Sequence, residues 1–360
     1  MAVMTNTTDT SGTSGTIDLN NKIKAPVRTR PPGRRVLRVF VLGIGVVFAL
    51  IVGLVLAGAS YEALSSMGDA AAYPPPGRLV DVGGYRLHIQ CVGTASSGSP
   101  TVVLDAGLGG SSLDWDLVQK EIGQTNQVCA YDRAGMGWSD TGPQPRAPGQ
   151  IARELHTLLA NAGIPGPYVL VGHSLAGKNV RMFALHYPDQ VAGMVLVDAR
   201  SEYVDQHTSP AEADAFQAAM RDQGNQYSLM RRLGLARLLG AGQSGVPAMS
   251  EKIRFEIALL TTGQRAIEAT TAESLERATD DVQLQAAPSI GDRPLIVLAA
   301  GQNMHNTMLP TWPEAQSRLA ALSTNGRLIV VEGSGHSIQS EHPDVVIDAV
   351  RQVVAQVRGH

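Results

Sequence analysis

Cysteine is nearly absent from the 360 residues: only Cys91 and Cys129 occur. Two thiols that far apart make neither a C-x-x-C pair nor a Cys/His cluster of metal-binding spacing, so no metal site is read from them. Charge is also sparse, at 17% against 44% hydrophobic residues, a balance that excludes a disordered chain and suits one large α/β domain with accessory segments. Net positive charge is missing from most of the length. Residues 1–38 hold seven basic residues (Lys22, Lys24, Arg28, Arg30, Arg34, Arg35 and Arg38) against Asp9 and Asp18, a local excess of five; since the whole chain sums to −3, the remainder carries −8. That leaves no basic face for nucleic acid.

No charged residue interrupts VFVLGIGVVFALIVGLVLAGA, residues 39–59. About 20 apolar residues at 1.5 Å rise are enough to cross a bilayer as a helix. The basic tract on its N-terminal side predicts a single span with a cytoplasmic N-terminus, and with everything after Ala59 outside the cytoplasm at the cell membrane. Ala57-Gly58-Ala59 also resembles a signal-peptide cleavage site, but the apolar run exceeds the ~7–15 residues usual for such signals, which favours an uncleaved anchor. Residues 1–38, rich in Ser, Thr, Gly and Asn at the start and then basic, read as a disordered tail. Residues 60–77, ending in Pro74-Pro75-Pro76-Gly77, read as a linker holding the next domain off the membrane.

From Arg78 onward strand and helix signals alternate. RLVDV and YRLHIQCV flank Gly83-Gly84 and predict a β-hairpin. Six short apolar runs follow, TVVLDAG, QVCAYD, PYVLVG, GMVLVDA, PLIVLAAG and RLIVVEG, of the kind that suits strands buried on both faces. With helical patterns such as QIARELHTLLANAG and DVVIDAVRQVVAQVR between and after them, the expectation is a doubly wound, mainly parallel eight-stranded sheet. The core occupies 78–200 and 291–360. Residues 201–290 contain helical patterns and no strand-like run, and read as a helical cap at the edge of the sheet where active sites of such folds lie.

The stretch VGHSLAGKN places Ser174 where a strand gives way to a helix, with Gly172 and Ala176 small enough for a sharp turn. Serine is also a good helix N-cap, so the pattern alone does not decide. A serine nucleophile needs a base, and the base needs an orienting group. His336, in EGSGHSIQSEHPD, follows the last strand and emerges at the same sheet edge as Ser174; His342 precedes Pro343 and opens the final helix instead.

With AGLGG at 106–110, DRAGMGWS at 132–139, GHSLAG at 172–177 and GSGH at 333–336, in that order, the chain over residues 78–358 resembles the α/β-hydrolase fold family. The resemblance implies a serine esterase with the order Ser174, acid, His336. LAAGQNMHNTML offers no carboxylate after the strand that follows the cap, only Asn303, so the other family position, Asp198 in VLVDARSE, is the expected acid, with Glu202 as the fallback. The oxyanion would rest on the amides of Leu108 and Leu175, since Ala106-Gly107 in place of the family's His-Gly leaves backbone donors untouched. Asp132 and Arg133 open a turn assigned to packing. The family's sheet order sets Cys91 and Cys129 side by side, as a disulfide or as two buried thiols. Serine at the turn argues against haloalkane and epoxide hydrolysis, whose family branches use aspartate there.

The expected substrate is a small-molecule carboxylic ester with an apolar group, suggested by Met220, Met230, Met249 and the leucines of the cap, and no cofactor or metal is called for. A peptidase or acyltransferase uses the same machinery. A membrane-anchored binding or signalling module with little turnover is the competing class, and the oligomeric state is left open.

Overall fold

Short apolar runs bounded by turn residues become the strands. The computed structural model describes residues 33–95, 98–240, 248–286, 289–307 and 309–359, so most of the tail, residues 1–32, lies outside it. The strands are β1 Arg78–Asp81, β2 Arg86–Val92, β3 Thr101–Asp105, β4 Val128–Tyr131, β5 Tyr168–His173, β6 Val191–Val197, β7 Leu295–Ala300 and β8 Gly326–Val331. They form one eight-stranded sheet in the order β1-β2-β4-β3-β5-β6-β7-β8. The hairpin β1–β2 and the β2–β4 pairing are antiparallel and the remaining pairings are parallel.

Both faces of the sheet are covered. Along β5, Val169 and Val171 join one buried cluster and Leu170 the other, the period-two alternation of a pleated strand. On the Leu170 side lie the helices Pro148–Asn161 and Ala176–His186. On the other side the helix Pro343–Arg358 buries Val346, Val350, Val353 and Val354, spaced as one face of a 3.6-residue helix. Cys91 and Cys129 are register partners on β2 and β4 and form a disulfide, which settles the two readings of the pair.

Between β6 and β7 the described residues contain helices only: Glu202–Gln206, Pro210–Arg232, Leu235–Leu238, Glu251–Thr261, Gln264–Leu275 and Asp281–Ala286. The helix Pro210–Arg232 starts with Ser209 as N-cap, Pro210 at its first position and Glu212 bonding back to the Ser209 amide.

The N-terminal helix differs from expectation in length. It runs from Arg34 to Ala72, so residues 60–72 are not an open linker. No proline lies between Pro32 and Pro74, and YEALSSMGDAAA is composed mostly of residues compatible with a helix. By contacts, residues up to Gly53 form one unit and Leu54 onward another. Within the first, Val36 to Ile51 present exposed apolar side chains. Val36–Asp69 is a candidate membrane span by length and composition.

Candidate active site

β5 ends at His173, and the chain turns at once into the helix that begins at Ala176. The turn is tight enough that Ser174 has φ +53°, and its amide donates to Val197 O at 3.0 Å. Close packing dictates the small residues around it. A Cβ on Gly172 would lie 2.8 Å from Ala176 O, and one on Gly177 would lie 2.5 Å from Ala199 Cβ.

Three side chains from separate strand ends meet here. Ser174 Oγ stands 2.9 Å from His336 Nε2, and His336 Nδ1 stands 2.6 Å from Asp198 Oδ2. Asp198 is fully buried just past β6, with φ +40°. Its oxygens accept three further hydrogen bonds: Oδ1 from the Ala300 amide at 3.0 Å and Trp312 Nε1 at 2.8 Å, Oδ2 from Asn303 Nδ2 at 2.5 Å. Every neighbour is a donor, which suits a carboxylate accepting at both oxygens. Asn303 thus bonds the Asp198 carboxylate from the position after β7 where the sequence offers no carboxylate of its own. Glu202 is engaged elsewhere, in a two-point pair with Arg181 at 2.6 and 3.0 Å. His342 precedes the final helix, its amide bonded to Ile338 O, and is not joined to the Ser174 group.

His173, between Gly172 and Ser174, was not singled out by its sequence, yet it bonds the loop that carries His336. Its Nε2 donates to His336 O at 2.9 Å, which leaves Nδ1 to accept from Gln339 Nε2 at 3.3 Å. Burial, and then the neighbouring His336, push its pKa down to about 3, so the ring is neutral, as this bonding requires. Gly107 is packed against the same ring; a Cβ there would lie 2.8 Å from Nδ1.

The Leu108 and Leu175 residues line the cavity beside Ser174 and His336. Among the described residues no hydrogen bond engages either amide. Arg133, read from sequence as a packing residue, does more than pack. Its guanidinium is buried, pairs with Glu273 at 2.8 Å and Asp105 at 2.7 Å, and donates to Ala106 O at 2.5 Å and Gly107 O at 2.8 Å. Gly107 C=O and Leu108 N–H belong to one planar trans peptide, so a donor clamped on the carbonyl sets the direction of the amide. Asp132 pairs with His88 at 2.8 Å and accepts from the Ser112 and Trp138 amides, as a structural residue would.

A cavity of about 490 Å³ opens over Ser174, walled by Leu108, Arg200, Phe216, Met220, Arg277 and Trp312 among others. Phe216 and Met220 come from the cap. Met249 instead packs with Leu113 and Ile257 in a separate cluster, so of the three cap methionines singled out, Met220 reaches the cavity and Met249 serves packing.

Known proteins resemble this chain in sequence or in fold. An uncharacterized protein of Schizosaccharomyces pombe is 26% identical over 79% of this chain and 57% of its own length. Probable transporter efuK of Hormonema carpetanum is 27% identical over 77% of this chain and 42% of its own length, so the chain spans about half of these two relatives. A thermophilic esterase from Thermogutta terrifontis superposes with a TM-score of 0.59 at 22% identity, covering 78% of this chain and 98% of that structure, a likeness of fold. The model of the Alpha/beta hydrolase family matches residues 102–349, and the chain belongs to that family.

Proposed function

We propose that this protein is a membrane-anchored serine hydrolase that cleaves carboxylic esters through an acyl-enzyme. The observation that carries the reading is the continuous hydrogen-bond chain from Ser174 Oγ through both nitrogens of His336 to Asp198. In this reading His336 Nε2 takes the proton of Ser174 as its oxygen attacks the ester carbonyl, while Asp198 holds the ring with Nδ1 protonated and stabilises the imidazolium that forms. The oxyanion is received by the Leu108 and Leu175 amides, the first aimed by Arg133. His336 then gives its proton to the leaving alcohol, and the same steps run in reverse with water to release the acid. Phe216 and Met220 in the cavity wall support an apolar group on the substrate. Serine rather than aspartate at the turn favours this over epoxide opening.

The basic tract before residue 39 supports a cytoplasmic N-terminus, and the Cys91–Cys129 disulfide suits a catalytic domain in an oxidising compartment outside it. The test is labelling of the full chain by a fluorophosphonate, with turnover of a panel of p-nitrophenyl esters. Wild type is expected to label and turn over. Ser174→Ala should do neither, and Asp198→Asn should lose about 10³–10⁴-fold in kcat through a mis-set tautomer. Absence of labelling and of ester turnover in wild type would overturn the reading and favour a binding module; full activity in Asp198→Asn would move the acid elsewhere.

A further inference from the structure

The anchor helix does not leave the cap free. Gly58, Glu62 and Asp69 lie four and seven residues apart, on one helical face, and that face is docked. A Cβ on Gly58 would stand 2.1 Å from Leu233 O, so two backbones touch there. Glu62 pairs with Arg231 at 3.1 Å and Arg237 at 3.2 Å, and Asp69 pairs with Arg237 at 2.5 Å. Directly after this contact the cap exposes three leucines, Leu235, Leu238 and Leu239, the last two 64% and 71% exposed. The anchor helix exposes Leu54, Leu56, Leu64 and Met67 over the same stretch.

Exposed leucines gathered at one place are costly in water. Their position names what covers them. Gly58 is the penultimate residue of the uncharged run 39–59, so the cap segment packed against it lies beside the end of that run. Arg232, on the same segment, is exposed, and basic residues flanking leucines are the composition of helices that lie in a membrane interface. We propose that the Leu235–Leu239 segment of the cap is a second membrane contact, seated in the acyl–headgroup boundary of the bilayer that the anchor enters. The helix Pro210–Arg232, joined to this segment through Leu233-Gly234, also carries Phe216 and Met220 of the cavity wall, so the segment follows directly on the helix that walls the cavity. The proposal rests on reading 39–59 as a bilayer span and is independent of the chemistry at Ser174.

The two native cysteines are joined, so a single added cysteine is the free thiol for labelling. Full-length Leu238→Cys, carrying an environment-sensitive fluorophore and reconstituted in phosphatidylcholine vesicles, is compared with Phe48→Cys inside the span and Val282→Cys, 76% exposed elsewhere on the cap. Quenchers borne on lipid acyl chains should extinguish most of the emission at 48 and 238 and little at 282. Quenching at 48 with none at 238 overturns the membrane contact alone. No quenching at either overturns the span as well. A label at 238 that is shielded from water yet untouched by lipid-borne quencher assigns the leucines to a second copy of the chain and also overturns the proposal.

Discussion

A positive φ costs a non-glycine residue on the order of 1–3 kcal/mol, and among the described residues the two that adopt it are Ser174 and Asp198. Strain is therefore concentrated on two members of the group bonded to His336. Arg133 acts at one remove, through the peptide it clamps. Lysine at this position keeps the charge but cannot span a carboxylate pair and two carbonyls at once. Arg133→Lys should lower kcat, by up to the ~10²–10³-fold that loss of one oxyanion donor costs, with KM nearly unchanged, measured by steady-state ester hydrolysis; an unchanged kcat would leave Arg133 as packing. Two buried histidines predict opposite pH limbs. His173, pushed down to about 3, is neutral in the fold but protonates in the unfolded chain below 6.5, so its contribution is present above 6.5 and lost as pH falls toward 3. For His88 burial alone would lower the pKa, but the Asp132 carboxylate and the Pro76 carbonyl outweigh it and hold the value above 6.5. Both ring nitrogens face acceptors, at 2.8 and 2.6 Å, which requires the imidazolium. Its contribution is present below 6.5 and lost as pH rises through the folded value. Urea unfolding across pH should show His173→Gln flattening the acid limb and His88→Gln flattening the alkaline one.

Within an element, the same substitution can change sign with what the residue faces. Gly58 and Gly68 both lie inside the N-terminal helix Arg34–Ala72. In a helix Gly→Ala ordinarily stabilises by ~0.5–1 kcal/mol. At Gly68 nothing lies within 4 Å of a new Cβ, and Gly68→Ala should raise stability by that amount. At Gly58 the Cβ meets the Leu233 carbonyl, and Gly58→Ala should instead loosen the cap, seen as faster limited proteolysis of 210–240 and a lower Tm. Element type was legible in advance: each of the eight strands fell on an apolar run named from sequence, and the cap on a stretch without one. The helical continuation through residues 60–72 was not, because weak helix propensity near a Pro-rich stretch is decided by the partner, here Arg231 and Arg237.

At the scale of the molecule, buried charge ties the cap to the sheet. Lys178, on the helix after Ser174, is fully buried and donates to Asp205 at 2.6 Å, to Asp281 and to Arg277 O. Removing one partner from such a cluster leaves uncompensated charge, typically at ~3–5 kcal/mol. Lys178→Met should therefore lower stability by about that much and split thermal unfolding into separate cap and core transitions, against one transition expected for wild type; a single transition in the variant would show the cap to be held by apolar contacts alone. Periodicity, run length, flanking charge and small residues at a turn are properties of neighbours in sequence, so strand order of appearance, the apolar span, the Ser174 turn and the placement of His336 were readable from the chain itself. Which carboxylate meets which base is not local. Asp198 lies 138 residues from His336, Glu273 lies 140 from Arg133, and Glu62 lies 175 from Arg237. Any carboxylate can accept such a bond, and only the packing of the sheet, cap and N-terminal helix selects the one that stands within reach.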